Sequence, residues 1–167
     1  MRSFLPSLLL VAPFILMSAF TQKTQSELPS IKLKDLDGNI IDVSTYASNG
    51  KITIISFWAT WCGPCIKELD NINELYGEWE EKFGVELIAV TVDDARNIPK
   101  VKPTVNGRGW PYKILLDENK DLSRALNVPN PPMTFLLDKE GKIVYKHTGY
   151  TEGAEYKLEE EIKKIAK

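Results

Sequence analysis

Histidine and cysteine are nearly missing from this chain. Its 167 residues include one histidine, His147, and two cysteines, Cys62 and Cys65. Zinc and iron–sulfur sites commonly take four Cys or His ligands, so three such side chains exclude most of them, and no cofactor or resident metal is expected. An excess of one charge is also lacking. Lys and Arg number 21 against 23 Asp and Glu, a net −2, which removes any compositional case for nucleic acid or an anionic membrane surface as partner. With 43% hydrophobic and 26% charged residues, 10 Gly and 10 Pro, the composition excludes disorder, collagen-like repeats and coiled coil as whole-chain descriptions. Internal repeats and low-complexity segments are absent. No apolar run reaches the roughly 20 residues a membrane-spanning helix needs.

The first twenty residues nevertheless differ from the rest. Arg2 gives a positive start, Phe4 to Phe20 carries no charge and is mainly apolar, and the polar stretch Thr21 to Ser26 follows. That order predicts a secretory signal peptide over residues 1–20 and a protein in the periplasm or outside the cell. The cleavage signal Met17-Ser18-Ala19 has a small residue at only one of its two key positions, so an uncleaved anchor is the alternative. A lipoprotein is excluded, because no Cys lies near the boundary.

Residues 27–167 fit one domain. Ile31 to Lys34 alternates, Asp37-Gly38 supplies a turn, and Ile40 to Val43 continues the alternation, which predicts a hairpin. The β-branched and aromatic run Ile52 to Trp58 reads as a strand buried on both faces. From Pro64 to about Phe83, apolar residues at helical spacing predict a helix that Gly84 stops. A second buried strand, Val85 to Val92, succeeds it. Between Asp93 and Gly109, Pro99, Pro103 and Gly107 argue for a short helix plus loop. Tyr112 to Leu116 reads as a strand, and residues 121–126 as a short helix capped by Asp121. Two strands then flank the turn Asp138-Lys139-Glu140-Gly141, and an amphipathic helix runs from Ala154 to Ala166. Strands alternating with helices imply parallel pairs and helices on both sheet faces, with a terminal antiparallel hairpin.

The chemistry-bearing string is Trp61-Cys62-Gly63-Pro64-Cys65, where a buried strand meets a helix. Two Cys three apart face the same side of a first helical turn. The first of them sits among backbone N–H groups that lack intrahelical partners, and these favour thiolate over thiol. Thiolate is the nucleophile of disulfide exchange. Pro64 suits this position, where its missing N–H costs nothing. The competing reading is a stapling disulfide. The stabilisation from loop closure grows with loop length, and a bridge enclosing two residues constrains little of the unfolded chain. A metal site would have only His147 as a third Cys/His ligand, and haem attachment would need His where Ile66 stands.

Together with Asn130-Pro131-Pro132-Met133-Thr134-Phe135-Leu136-Leu137-Asp138 before a hairpin, this string resembles the thioredoxin superfamily. The resemblance is closest to its exported TlpA/ResA-like thiol–disulfide oxidoreductases and runs from about Leu28 to the end. It implies an α/β thioredoxin-like fold, a central mixed β-sheet flanked by helices, with an N-terminal β-hairpin extension. It also implies that Cys62 attacks, Cys65 resolves, Pro132 is a cis-proline facing them, and Trp61 packs beside the pair. Pro131 and Met133, on either side of Pro132, join Trp61 as residues expected to meet substrate; Met133 stands where the family often has Thr. A cis X–Pro bond can expose the preceding backbone groups to an extended substrate, although Pro129, Pro131 and Pro132 read from composition alone as a plain loop.

One departure from thioredoxin is informative. The buried Asp usual six residues before the first Cys is replaced by Ser56, which cannot carry a proton at neutral pH. TlpA/ResA-like proteins instead place Glu three residues after the second Cys, and Glu68 stands there. Helical side chains lean toward the N-terminus, so its carboxylate can approach the thiols; otherwise it is an exposed first-turn charge favouring the helix dipole. His147, beyond a predicted strand, reads as a surface residue, and Trp58, Trp79 and Trp110 as core or partner-facing.

The leading function is an exported oxidoreductase that reduces protein disulfides through a mixed disulfide on Cys62 resolved by Cys65. The resemblance suggests a membrane thiol transporter as electron donor and apocytochrome c among the acceptors. A thiol peroxidase is one alternative, but the Thr preceding such a nucleophile lies three residues ahead, and Thr60 lies two ahead of Cys62. A copper-binding or chaperone module using the same cysteines, with His147 as an optional further ligand, is the other, although its usual Cys spacing is one residue longer.

Overall fold

The computed structural model describes residues 28–167, so the signal peptide expected over residues 1–20 lies outside the described residues. Among the described residues no helix is long and apolar enough to cross a membrane.

The sequence pattern that organises everything is the run Ile52–Trp58, strand β3, in which all seven side chains are buried. A strand covered on both faces must lie inside a sheet. It pairs in parallel with β4 (Val85–Thr91) and antiparallel with β6 (Met133–Leu137). Around this centre the sheet has the order β2-β1-β5-β4-β3-β6-β7. The N-terminal hairpin of β1 (Lys32–Asp35) and β2 (Ile40–Asp42) attaches through β1 to β5 (Lys113–Leu116). Strand β7 (Ile143–Thr148) closes the other edge. Its pairing with β6 is irregular: Leu136 faces Tyr145 and Leu137 faces Ile143, so β7 carries one extra residue there. Four helices flank this mixed sheet.

Helix α1 (Gly63–Phe83) follows from its sequence almost residue by residue. Cys62 is the N-cap, Pro64 lies in the first turn, and Gly84 takes the left-handed conformation (φ 67°) that ends it. Leu69, Ile72, Tyr76 and Trp79 form its buried stripe, and α4 (Ala154–Ile165) packs alongside through Leu158 and Ile162. The three tryptophans Trp58, Trp79 and Trp110 are all buried.

Two local expectations need correction. Instead of a short helix plus loop, residues Ile98–Arg108 form one continuous helix, α2, with Pro103 inside it. Pro99 falls in the first turn, where no N–H is needed, and Pro103 forfeits only the bond to the Pro99 carbonyl. Burial of Val101 and Val105 offsets that loss. So does the far end, where Trp110 Nε1 donates to Asp70 Oδ1 at 2.9 Å and Arg108 pairs with the same carboxylate. The second correction concerns α3 (Asp121–Ala125), whose N-cap position is Lys120 and not Asp121. The capping carboxylate is Asp117, fully buried at the end of β5, which accepts from Leu122 N at 3.0 Å and Ser123 N at 2.8 Å. Asp121 pairs instead with Arg124.

Gly141 and Gly50 separate backbone conformation from close approach. Both have positive φ, 78° and 74°, but a Cβ on Gly141 would lie 2.1 Å from the Ala47 carbonyl oxygen, whereas one on Gly50 meets nothing within 4 Å. In urea denaturation, Gly50→Ala is expected to cost about 1 kcal/mol from the left-handed conformation alone. Gly141→Ala should cost a further ~1–3 kcal/mol from the backbone collision. Equal losses would show that the Ala47 segment moves aside freely.

Candidate active site

Strand β3 ends at Trp58, and the chain turns immediately into α1. Cys62 N donates to the Ala59 carbonyl at 3.0 Å, and the extended backbone of Cys62 (φ −95°, ψ 92°) sets its side chain as the helix cap. Its Sγ accepts from Cys65 N at 3.3 Å. The cap role that Ser or Asp fills elsewhere is thus taken by sulfur, so the first turn directs an amide donor at it. Cys62 and Cys65 are joined by a disulfide with a Cα–Cα distance of 5.3 Å.

The turn is held from β4 by Asp93. This buried carboxylate accepts from Thr60 N at 2.8 Å, Thr60 Oγ1 at 2.8 Å and Thr91 Oγ1 at 2.6 Å. Three donors compensate a carboxylate that would otherwise be costly to bury.

The Pro131–Pro132 bond is cis. The next residue, Met133, sits opposite Phe57 in the β3–β6 register, which places the cis-proline at the end of β3 from which the cysteine turn departs. Pro132 is buried, and its carbonyl accepts from Gly149 N at 2.8 Å. Pro131 is partly exposed and, having no N–H, offers a ligand only its carbonyl. The Met133 side chain points into the core. Trp61 is 60% exposed, a large apolar surface beside Cys62.

Glu68 is the unusual member of the set. It lies on α1 and is only 1% exposed, which removes the reading of a solvated first-turn charge. Beneath it runs a polar row across three adjacent strands: Ser56 of β3 faces Thr134 of β6, which faces His147 of β7. Thr134 Oγ1 lies 2.9 Å from Glu68 Oε1 and 3.2 Å from Ser56 Oγ. His147 Nε2 lies 2.7 Å from the same Glu68 oxygen. The expectation that His147 is a surface residue is therefore wrong: its side chain is 15% exposed and packs under α1. Glu68 Oε2 has no hydrogen-bond partner among protein atoms, and neither has His147 Nδ1. Tyr145 flanks the imidazole with ring centroids 5.7 Å apart; burial, together with the nearby Glu161 and Glu68 carboxylates, raises its hydroxyl above the ordinary range.

Sequence reasoning singled out Cys62, Cys65, Glu68 and Pro132, and the structure gathers them at one end of β3, β6 and α1. It passed over Thr60, Asp93 and Thr134. Thr60 and Asp93 are 33 residues apart, and only the parallel pairing of β3 with β4 brings them together. Asp93→Ala should leave three donors without an acceptor and cost about 2–4 kcal/mol in denaturant unfolding. Faster hydrogen exchange of the Thr60 amide would accompany it. A protected Thr60 amide in the variant would mean that the turn is held by other contacts.

The geometry agrees with what the chain is similar to. The sequence model of the AhpC/TSA family matches residues 24–146. The thiol–disulfide oxidoreductase ResA of Bacillus thuringiensis subsp. konkukian is 34% identical over 150 residues, covering 87% of this chain and 83% of its own. A thioredoxin-like protein from Porphyromonas gingivalis superposes with a TM-score of 0.75 at 45% identity, over 84% of this chain and 92% of its own. Peroxiredoxin Q of Xanthomonas campestris, at 21% identity and a TM-score of 0.71 over 86% and 100%, shares the fold alone. The chain belongs to the AhpC/TSA family and is a ResA-like thiol–disulfide oxidoreductase.

Proposed function

We propose that the protein is an exported disulfide reductase in which Cys62 attacks, Cys65 resolves and Glu68 takes the resolving proton. The observation that carries the reading is the Cys62 sulfur in the N-cap of α1, accepting a backbone N–H. In the reduced protein the same donor would favour the Cys62 thiolate. Cys62 is 6% exposed and Cys65 1%, so an incoming sulfur meets Cys62 first.

The Cys62 thiolate attacks one sulfur of a substrate disulfide. A Cys62–substrate bond forms, the substrate disulfide breaks, and the departing substrate thiolate takes a proton from solvent. Cys65 then loses its proton, its Sγ attacks Cys62 Sγ, and the mixed disulfide breaks. The substrate leaves as a dithiol, having gained two electrons, and the protein is left with the Cys62–Cys65 disulfide. Cys65 is shielded from water, which disfavours its thiolate. In this reading Glu68, one turn further along α1 with Oε2 unpartnered among protein atoms, accepts that proton. Trp61 supplies exposed apolar surface for a protein substrate, and the Pro131 carbonyl an acceptor for an extended segment. Return to the dithiol requires an external thiol donor. The resemblance points to a membrane thiol transporter for that role and to apocytochrome c among the acceptors.

The peroxidase alternative draws on the same family membership. Here, however, Thr60 has both its amide and its hydroxyl bound to Asp93. The copper alternative rests on the two cysteines, with His147 as an optional further ligand whose Nε2 is engaged by Glu68. Peroxide turnover and copper titration of the reduced protein separate these readings. A reduction potential for the Cys62–Cys65 pair near the roughly −270 mV of thioredoxin would support reduction, and one near about −120 mV an oxidant.

Cys65→Ser should accumulate mixed disulfides with protein substrates and Cys62→Ser should not, as read on non-reducing gels. Equal trapping would reverse or dissolve the assignment of roles.

Glu68→Gln keeps shape while removing the acid–base function. It should slow disulfide exchange roughly tenfold or more and alter its dependence on pH between 5 and 9. Glu74→Gln, exposed on the same helix, should change neither. Matching behaviour of the two variants would remove Glu68 from the mechanism.

A further inference from the structure

Only one oxygen of Glu68 is held. Thr134 Oγ1 and His147 Nε2 both meet Oε1, at 2.9 and 2.7 Å, while Oε2 has no partner among protein atoms. A hydroxyl has a single proton to donate. If Thr134 gives it to Glu68, then Ser56, 3.2 Å away, donates in turn to Thr134. Ser56, Thr134 and His147 form the polar row that runs from β3 to the edge strand β7.

We propose that His147 is a positioning residue for Glu68: its Nε2–H, with the Thr134 hydroxyl, occupies Oε1 and so reserves Oε2 for the proton of Cys65. The proposal rests on the role given to Glu68 above and adds to it the one histidine of the chain. A carboxylate free to rotate presents either oxygen, and burial leaves few donors to fix it. Two donors on one oxygen remove that freedom.

The assignment sets the tautomer. For Nε2 to donate to a carboxylate, the neutral ring must carry its hydrogen there and leave Nδ1 as an acceptor. An unpartnered acceptor costs less to bury than an unpartnered N–H, and Nδ1 is the ring nitrogen without a protein partner. The opposite tautomer would need a proton on Oε1 and would orphan a donor.

The titratable groups facing the imidazole are few. Glu68 faces it from α1, and Tyr145 flanks it on β7. From α4, Glu161 acts on Tyr145. From β6 comes the uncharged Thr134. The exposed neighbours Lys146 and Thr148 alternate to the other face of β7.

His147→Leu removes the donor and keeps bulk, whereas the amide nitrogen of Gln in His147→Gln can stand where Nε2 stood. Resolution of a Cys62 mixed disulfide, followed by stopped flow, should slow roughly tenfold in His147→Leu, and the pH profile of its rate should change. His147→Gln should recover most of the rate. In a Glu68→Gln background, His147→Leu should add nothing, since both act through one carboxylate. If Glu68→Gln slows resolution but His147→Leu leaves rate and profile unchanged, the role of His147 is overturned and that of Glu68 stands. If Glu68→Gln is itself harmless, both fall. Nitrogen NMR of the unmodified oxidised protein tests the same claim without a variant, because a single histidine makes the signals unambiguous. The Nε2–H tautomer is expected, and the Nδ1–H tautomer would overturn the proposal.

Discussion

Taking a carboxylate out of water costs several kcal/mol unless donors replace the lost hydration, and α1 carries one directly into the interface with the sheet. Glu68 can sit there only because Ser56, Thr134 and His147 put polar atoms under it. The surrounding core is otherwise apolar, with Ile54, Phe57, Leu69 and Leu136 all buried nearby in the same elements. That contrast separates a group that polar neighbours must support from one that packing alone would hold. An aliphatic residue at position 68 would fill the same space without needing a polar row beneath it.

The cysteine turn is positioned by comparable means from three directions. Asp93 ties Thr60 to the end of β4, the N-cap geometry ties Cys62 to the first turn of α1, and the β3–β6 register brings the cis-proline alongside. The first and the third join segments far apart in the chain, so the site is complete only when the sheet is assembled.

Elements whose cause is local were legible in the sequence. Strand β3 declares itself by an unbroken β-branched run, and α1 by its cap, its proline, its apolar spacing and its terminal glycine. The Cys62–Cys65 pair and Glu68 lie on one helix or its cap, and they were legible from helical spacing together with the family resemblance. What escaped was decided by pairing. Helix α2 survives Pro103 because distant residues such as Asp70 anchor its end, and the cap of α3 comes from Asp117, four residues before the helix starts. His147 looked solvated because nothing within ten residues of it announces a buried carboxylate. Its neighbour in space is 79 positions away.

The extra residue in β7 decides which side chain that carboxylate meets. In an antiparallel pair, residues directly opposite share a face. Continuing the Leu137–Ile143 pairing without interruption would bring Lys146 opposite Thr134, but the irregularity shifts the partner to His147. Parity along a strand is binary, so one residue inserted or deleted exchanges inside for outside over its whole remaining length. Pairing Val144 with Leu136, so that no residue is extra, would turn the Lys146 ammonium toward Glu68 and send the imidazole to solvent, whereas deleting Val144 would keep His147 opposite Thr134. The identity of the carboxylate's companion is thus written in one unpaired residue of a hairpin arm, at a point where no side chain touches the site.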